Sequence, residues 1–280
     1  MTGDLPAILR RTWRSPSGRA GAILLALIIL IVAVLPFLLQ DPNVQPCLTC
    51  GSTPPSGEHL FGTDPLNRDV LSRVVWGGRI SLTIALLAVA LAITLGATVG
   101  LVSGYAGGWV DIVIMRLVDG ALAIPRLFVL LLVLAVVSPI PLGVFILVLG
   151  TTGWFAVSRI VRGEALRLKH ELYVQAAHAL GAGSTRVIFR HLLPNALGPL
   201  LVAATLGVGD VILLEAGLSF LGLGLQPPTA TWGGMIQDAR SHFFTGPWNH
   251  LFPGLAIVLT VLAINLLGGA LRDAFDPRNA

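Results

Sequence analysis

Two carboxylates, Asp210 and Glu215, stand inside a long apolar stretch of this 280-residue sequence, and two cysteines, Cys47 and Cys50, form the pair CLTC between prolines and a glycine. A carboxylate within a membrane costs about 3 kcal/mol and is kept where it faces a cavity or a partner helix, so both acids are candidates for the wall of a polar pathway. Asp210 is flanked by Gly207 and Gly209 and ranks slightly ahead. Glu215, in LLEAGLSFLGLG, is expected near enough to the outer end of its helix to be hydrated, and a structural bond serves it equally well. An extracellular setting favours a local disulfide between Cys47 and Cys50. Gly51 follows Cys50 where c-type haem attachment needs His, and the six histidines show no metal-ligand spacing, so no metal site is expected. No Ser-His-Asp set or nucleophile elbow is recognisable. Lys169, the single lysine, follows Leu168 rather than the glycine that the phosphate loop G-x4-G-K-[ST] demands. The chain is therefore expected to contribute no catalytic residue and to hydrolyse no ATP itself.

The elements that position these residues follow from composition. Hydrophobic residues make up 55% of the chain and charged ones 11%, far from the roughly 25% charged of soluble domains. With a mean hydropathy of +0.84, the chain reads as an all-α membrane protein. Six spans are expected, at about 20–39, 80–102, 113–137, 141–161, 197–218 and 251–271. The first is too long for a signal-peptide core and is expected to stay in place as a span. Pro125, in LAIPRL, is expected to kink or break the third span as part of a gate or as mere shape. SPIPLG, residues 138–143, is expected to make the tight turn between the third and fourth. A net charge of +4 would suggest nucleic acid for a soluble chain, but here the arginines are grouped by loop and report orientation. Arg10, Arg11, Arg14 and Arg19 precede the first span, and Arg159, Arg162, Arg167, Arg186 and Arg190 cluster with Lys169 after the fourth. Both groups are expected inside, with both termini; residues 1–19 are expected as a cytoplasmic N-terminal segment and 20–280 as the transmembrane domain. Loops 40–78 and 219–250 are expected outside. Gly96, Gly100 and Gly104 repeat along the second span, which suits a close helix crossing, with a partner or within the chain.

The basic loop 163–196 has structure of its own. Leu172, Tyr173, Ala176, Ala177 and Leu180 fall on one helical stripe, while Glu171, Gln175 and His178 lie elsewhere. Gly181-Ala182-Gly183 then supplies a C-cap, Ser184 an N-cap for a second short helix carrying Val187, Ile188 and Leu192, and Pro194 a break before the fifth span. Such a helix-hinge-helix fits a groove on a partner protein, or lies on lipid.

This segment resembles the "EAA" coupling loop of ABC-importer permeases. Gln175-Ala176-Ala177, then Gly181, then Ile188 with Leu193-Pro194 follow that pattern, with Gln175 in place of the glutamate. FGTDPLNRDVLSRVVWGGRISL (61–82), GYAGGWVDIVIMRLVDGALAIPRL (104–127) and LLEAGLSFLGLGLQPPTATWGGMI (213–236) resemble the C-type permease subunit of dipeptide, oligopeptide and nickel importers. Asn67 replaces the family's usual glycine, and Ala230 a common second proline. The resemblance implies a path through a prokaryotic cytoplasmic membrane, shared with a homologous B-type subunit. It also implies ATP and Mg on separate nucleotide-binding ATPase subunits that grip Tyr173, Gln175, Ala176, Ala177, Leu180, Gly181, Ile188, Leu193 and Pro194, and a substrate-binding protein outside. The lipid bilayer is its remaining partner, and nucleic acid is not one. Peptides are the expected cargo, with nickel or another small solute as the alternative within the family. A stand-alone secondary transporter is the rival from another class, and it would leave the amphipathic loop without a groove to enter.

Overall fold

The computed structural model describes residues 5–45, 51–137 and 139–275, and within them the architecture is helical throughout. Cys47 and Cys50 lie outside the described residues. A short amphipathic helix, α1 (Leu5–Arg14), precedes α2 (Pro16–Val34), whose first turn is capped by Ser15. After a 3-10 turn at Leu35–Phe37 and a long loop, α3 (Val70–Ala106) begins at an Asp69 cap, where the carboxylate accepts from the Ser72 N–H at 2.7 Å. The second span thus starts ten positions before 80, because an N-cap aspartate and the buried face of VLSRVVWGGR carry the helix outward.

The third span is broken. α4 (Gly108–Ala123) and α5 (Arg126–Val136) meet at 81° across Ile124 and Pro125. Proline has no N–H to continue the ladder and biases its predecessor to extended backbone, and Ile124 has φ −92°, ψ 125°. Six further helices follow among the described residues: α6 (Leu142–Lys169), α7 (Leu172–Ala179), α8 (Ser184–Val187), α9 (Leu193–Phe220), α10 (Trp232–Asp238) and α11 (Trp248–Phe275). Among the described residues, five helical stretches are long and apolar enough to cross a membrane, or six with the bent pair counted as one.

Two sequence expectations need correction near α8. Ser184 is the first residue of that helix, and Gly183 occupies the cap without a side-chain bond. Pro194 makes no break either, since the chain stays helical from Ser184 to Phe220. A π-turn at Ile188–Leu192 absorbs the proline, with the Leu193 N–H reaching the carbonyl of Ile188. The wider turn accommodates a residue that cannot donate and whose ring would press on the preceding turn.

The bundle centres on α3. Its glycine stripe is packed within the chain: a Cβ on Gly96 would meet Val157 at 2.5 Å, one on Gly100 the Ser158 carbonyl at 2.6 Å, and one on Gly104 Ala165 at 2.7 Å. All three partners lie on α6, so small residues here let two backbones of one chain approach closely. At the start of α3, the α10 helix is pinned by Trp232, which is buried and donates its indole N–H to the Val74 carbonyl at 2.8 Å. The loop before α3 is a compact knot. Asp64 accepts from the Leu66 and Arg68 N–H groups at 2.9 Å each and from Arg68 Nε at 2.6 Å. Asn67 sits at φ 59°, the left-handed region that asparagine tolerates nearly as glycine does, so the replacement keeps the turn.

Candidate coupling surface and membrane cavity

The stretch after α6 is held to the bundle by one face and leaves the other open. Arg167 pairs with Glu164 at 2.6 Å and with Glu171 at 3.1 Å, fixing the exit of α6, and Gln175 Nε2 donates to the His170 carbonyl at 3.0 Å. The inward anchor of α7 is Val174, fully buried with Val187, Leu192, Ala165 and Leu168 in a second hydrophobic core. His178 stacks on Tyr105, the last aromatic of α3, with ring centroids 5.9 Å apart. Lys169 Nζ donates to the Tyr105 carbonyl at 2.7 Å, tying α6 to the same end.

The hinge has a defined chemistry. The Ala182 N–H reaches back to the Ala177 carbonyl and the Gly181 N–H to that of His178, both at 2.9 Å. These are the two bonds of a Schellman C-cap, which needs a left-handed residue between them, and Gly181 has φ 80°. No neighbour lies within 4 Å of a Cβ placed there, so backbone conformation alone selects glycine.

With Val174 turned in, the stripe read from the sequence faces out. Leu172 is 81% exposed and Leu180 89%, with Tyr173, Ala176 and Phe189 exposed beside them. Gln175 and Gly181 are exposed too, whereas Ala177, Ile188, Leu193 and Pro194 are half-buried. Burial and then the nearby Glu171 push the Tyr173 phenol above its ordinary value, so it stays a neutral hydrogen-bond donor. The result is an apolar ridge seated on the bundle, followed in the chain by the exposed Arg186 and Arg190.

The acids separate. Glu215, which the sequence placed in a hydrated position, is 1% exposed and enclosed by α3, α9 and α10. It accepts from Ser219 Oγ at 2.8 Å and Ser81 Oγ at 3.3 Å, and Ser81 in turn accepts from the Trp232 N–H at 3.2 Å. Ser219 stands one helical turn from Glu215 and was within reach of the sequence pattern, whereas Ser81 comes from α3, 134 positions away, and left no local signal of this joint. Asp210, on the other side of α9, is exposed to a cavity of about 440 Å³ lined also by Leu127, Leu213, Leu214, Gly217 and Arg126. Arg126 is the residue that sequence reading missed. The signal was an arginine directly after Pro125 at the head of an apolar run, an intramembrane cation by the same logic that marked Asp210. The break at Pro125 aims it, and α6 holds it, with Nη2 donating to the Leu149 carbonyl at 2.6 Å and Nε to Thr152 Oγ1 at 3.2 Å.

The family described as binding-protein-dependent transport system inner membrane component matches residues 92–280, which hold the exposed ridge and the cavity alike. The chain belongs to that family. Full-length relatives agree. A putative peptide permease protein of Brucella suis biovar 1 is 42% identical over 280 residues, covering 99% of this chain and 92% of the relative. The Bacillus subtilis dipeptide transport system permease protein DppC is 40% identical over 270 residues, 96% of this chain and 84% of the relative. The oligopeptide transport system permease protein OppC of the same organism is 40% identical over 258 residues, 92% and 84% of the two chains. This is a multi-pass permease of the inner membrane, a transport subunit by family.

Proposed function

We propose that this permease is the C-type subunit of an ATP-driven peptide importer. The observation that carries the reading is the apolar ridge of Leu172 and Leu180, exposed at 81% and 89% on a helix whose opposite face is locked into the core through Val174. A ridge so exposed on a rigid seat suits a protein groove, and an ATPase subunit is the partner that a binding-protein-dependent permease lacks in its own sequence. ATP and Mg would bind on that subunit, and no residue of this chain is assigned to them. Arginines and Lys169 gather at the ridge end, so by charge it is the cytoplasmic end and the termini share it. The α10 end, with the Asp64 knot, then faces outward to a substrate-binding protein. A homologous permease subunit completes the path.

The mechanism is lever-like. Closure of the ATPase pair on ATP displaces the ridge, and Val174, Val187 and the Tyr105–His178 stack transmit the movement to α3, α6 and α9 without a flexible intermediate. Access switches because the partners bind the two states with different affinity. Peptide cargo follows the relatives' names. It is tested by uptake of labelled di- and tripeptides in cells lacking this chain: restoration by the intact gene is expected, and restored nickel uptake without peptide uptake would move the assignment within the family.

A further inference from the structure

We propose that Arg126 and Asp210 form a dipolar station for zwitterionic cargo, the peptide carboxylate resting on Arg126 and its ammonium group on Asp210. The inference rests on the peptide reading above and adds the site at which the membrane subunit itself meets cargo.

Depth comes first. Arg126 is tied to Leu149 and Thr152 of α6, and from Leu142 to Thr152 at ~1.5 Å per residue is roughly 15 Å. From Asp210 to the end of α9 at Phe220 is again roughly 15 Å. Both charges therefore stand near the middle of a hydrocarbon layer about 30 Å thick. Charges at that depth are costly and persist where they are paired or face a water-filled cavity. Here they line one cavity, yet the two close no ion pair within 4 Å.

The donor count shows what remains available. Nε and one proton of Nη2 are committed to α6, so the outer edge of the guanidinium keeps donors in the geometry a carboxylate accepts. Asp210 has no intramolecular hydrogen-bond partner among the described residues, leaving both oxygens for an ammonium. A cation alone would be repelled at Arg126 and an anion alone at Asp210, whereas a zwitterion neutralises both. Leu127, Leu213 and Leu214 add an apolar wall that takes varied side chains without selecting among them. A volume of about 440 Å³ lies within the roughly 300–1,000 Å³ of small-ligand clefts.

The test uses the complete transporter, purified with its partner subunits, carrying Leu213→Cys as a reporter, and follows maleimide labelling of residue 213 by peptide mass. Dialanine is expected to slow labelling, and dialanine capped at both ends to need about tenfold more or to fail, the loss typical of deleting charge-assisted hydrogen bonds. Arg126→Gln and Asp210→Asn should each abolish the difference. Equal protection by free and capped dialanine, or none by either, overturns the proposal, and this comparison stands even where a variant fails to assemble. Unchanged protection in the variants together with a new peptide leak without ATP would make the pair a gate and overturn it equally. If the intact complex labels and protects as expected yet drives no peptide uptake, the peptide reading fails and the station does not. If uptake proceeds without protection, the station fails and the peptide reading does not.

Discussion

Arg162 of α6 grips Asp111 of α4 with both arms, Nε to Oδ1 at 2.6 Å and Nη2 to Oδ2 at 2.5 Å, while Ser103 of α3 donates to the same Oδ1 at 2.5 Å. Three helices thus meet on one carboxylate at the end of the bundle that carries the exposed ridge. A forked pair of this kind fixes orientation as well as distance.

Asp111→Ala should destabilise the protein by about 2 kcal/mol. That is less than the 3–5 kcal/mol lost on breaking a fully buried pair, because a third of the Arg162 side chain stays exposed. Thermal unfolding in detergent should show a clear fall in Tm, most of it recovered when Arg162→Met is added. An unchanged Tm for Asp111→Ala would mean the fork holds nothing together.

Gly181 offers a cleaner test, since space is not an issue there. A β-branched residue at φ 80° costs about 1–2 kcal/mol locally and undoes the Schellman turn, whereas asparagine tolerates the region, as Asn67 does in the same chain. Gly181→Val should lower ATP-coupled uptake with the protein still in the membrane, and Gly181→Asn should keep most of it. Equal uptake by the two would remove the hinge from the mechanism.

Glu215 should behave as a joint. Gln at this position can still bond Ser81 and Ser219, so Glu215→Gln is expected to transport and unfold nearly as the parent does. Glu215→Leu strands two buried hydroxyls and should cost about 1–3 kcal/mol. A transport defect in the glutamine variant with normal stability would return Glu215 to the path.

The outer cluster should titrate. Burial pushes the Asp238 carboxyl above its ordinary value, against the opposing pull of Arg73 and Arg68. A carboxyl that holds its proton more tightly folded than unfolded lends stability below its unfolded pKa and loses that contribution as pH rises through the folded value. The parent should therefore lose stability relative to Asp238→Asn as the pH is raised across that window. A parent that instead gains on the variant over the same range would show the arginine pairs at 3.4 and 3.6 Å to dominate.

What the sequence disclosed divides along physical lines. Spans and the exposed apolar stripe of α7 were legible because apolar length and helical period are local, and the break at Pro125 because proline acts through its own backbone. Gly96, Gly100 and Gly104 announced a close crossing but not with which helix, since spacing carries no partner identity. Glu215 and Arg126 were the reverse case. One was expected near water and is sealed by Ser219 a turn away and by Ser81 from a remote position; the other lay unremarked inside the third expected span and is set by the 81° bend. Pro194 was misplaced because a π-turn lets the helix run on through it, and Ser184 by a single position, since Gly183 takes the cap.

The most direct measurement is to place a photo-cross-linking residue at Leu180 and, separately, at Leu172, irradiate native membranes, and identify by mass what is captured. The ridge as a coupling surface predicts that both positions capture one chain carrying the G-x4-G-K-[ST] phosphate loop, and that capture is lost when Gly181→Val is added. Cross-links confined to lipid at both positions would contradict it and leave the helix lying on the membrane surface.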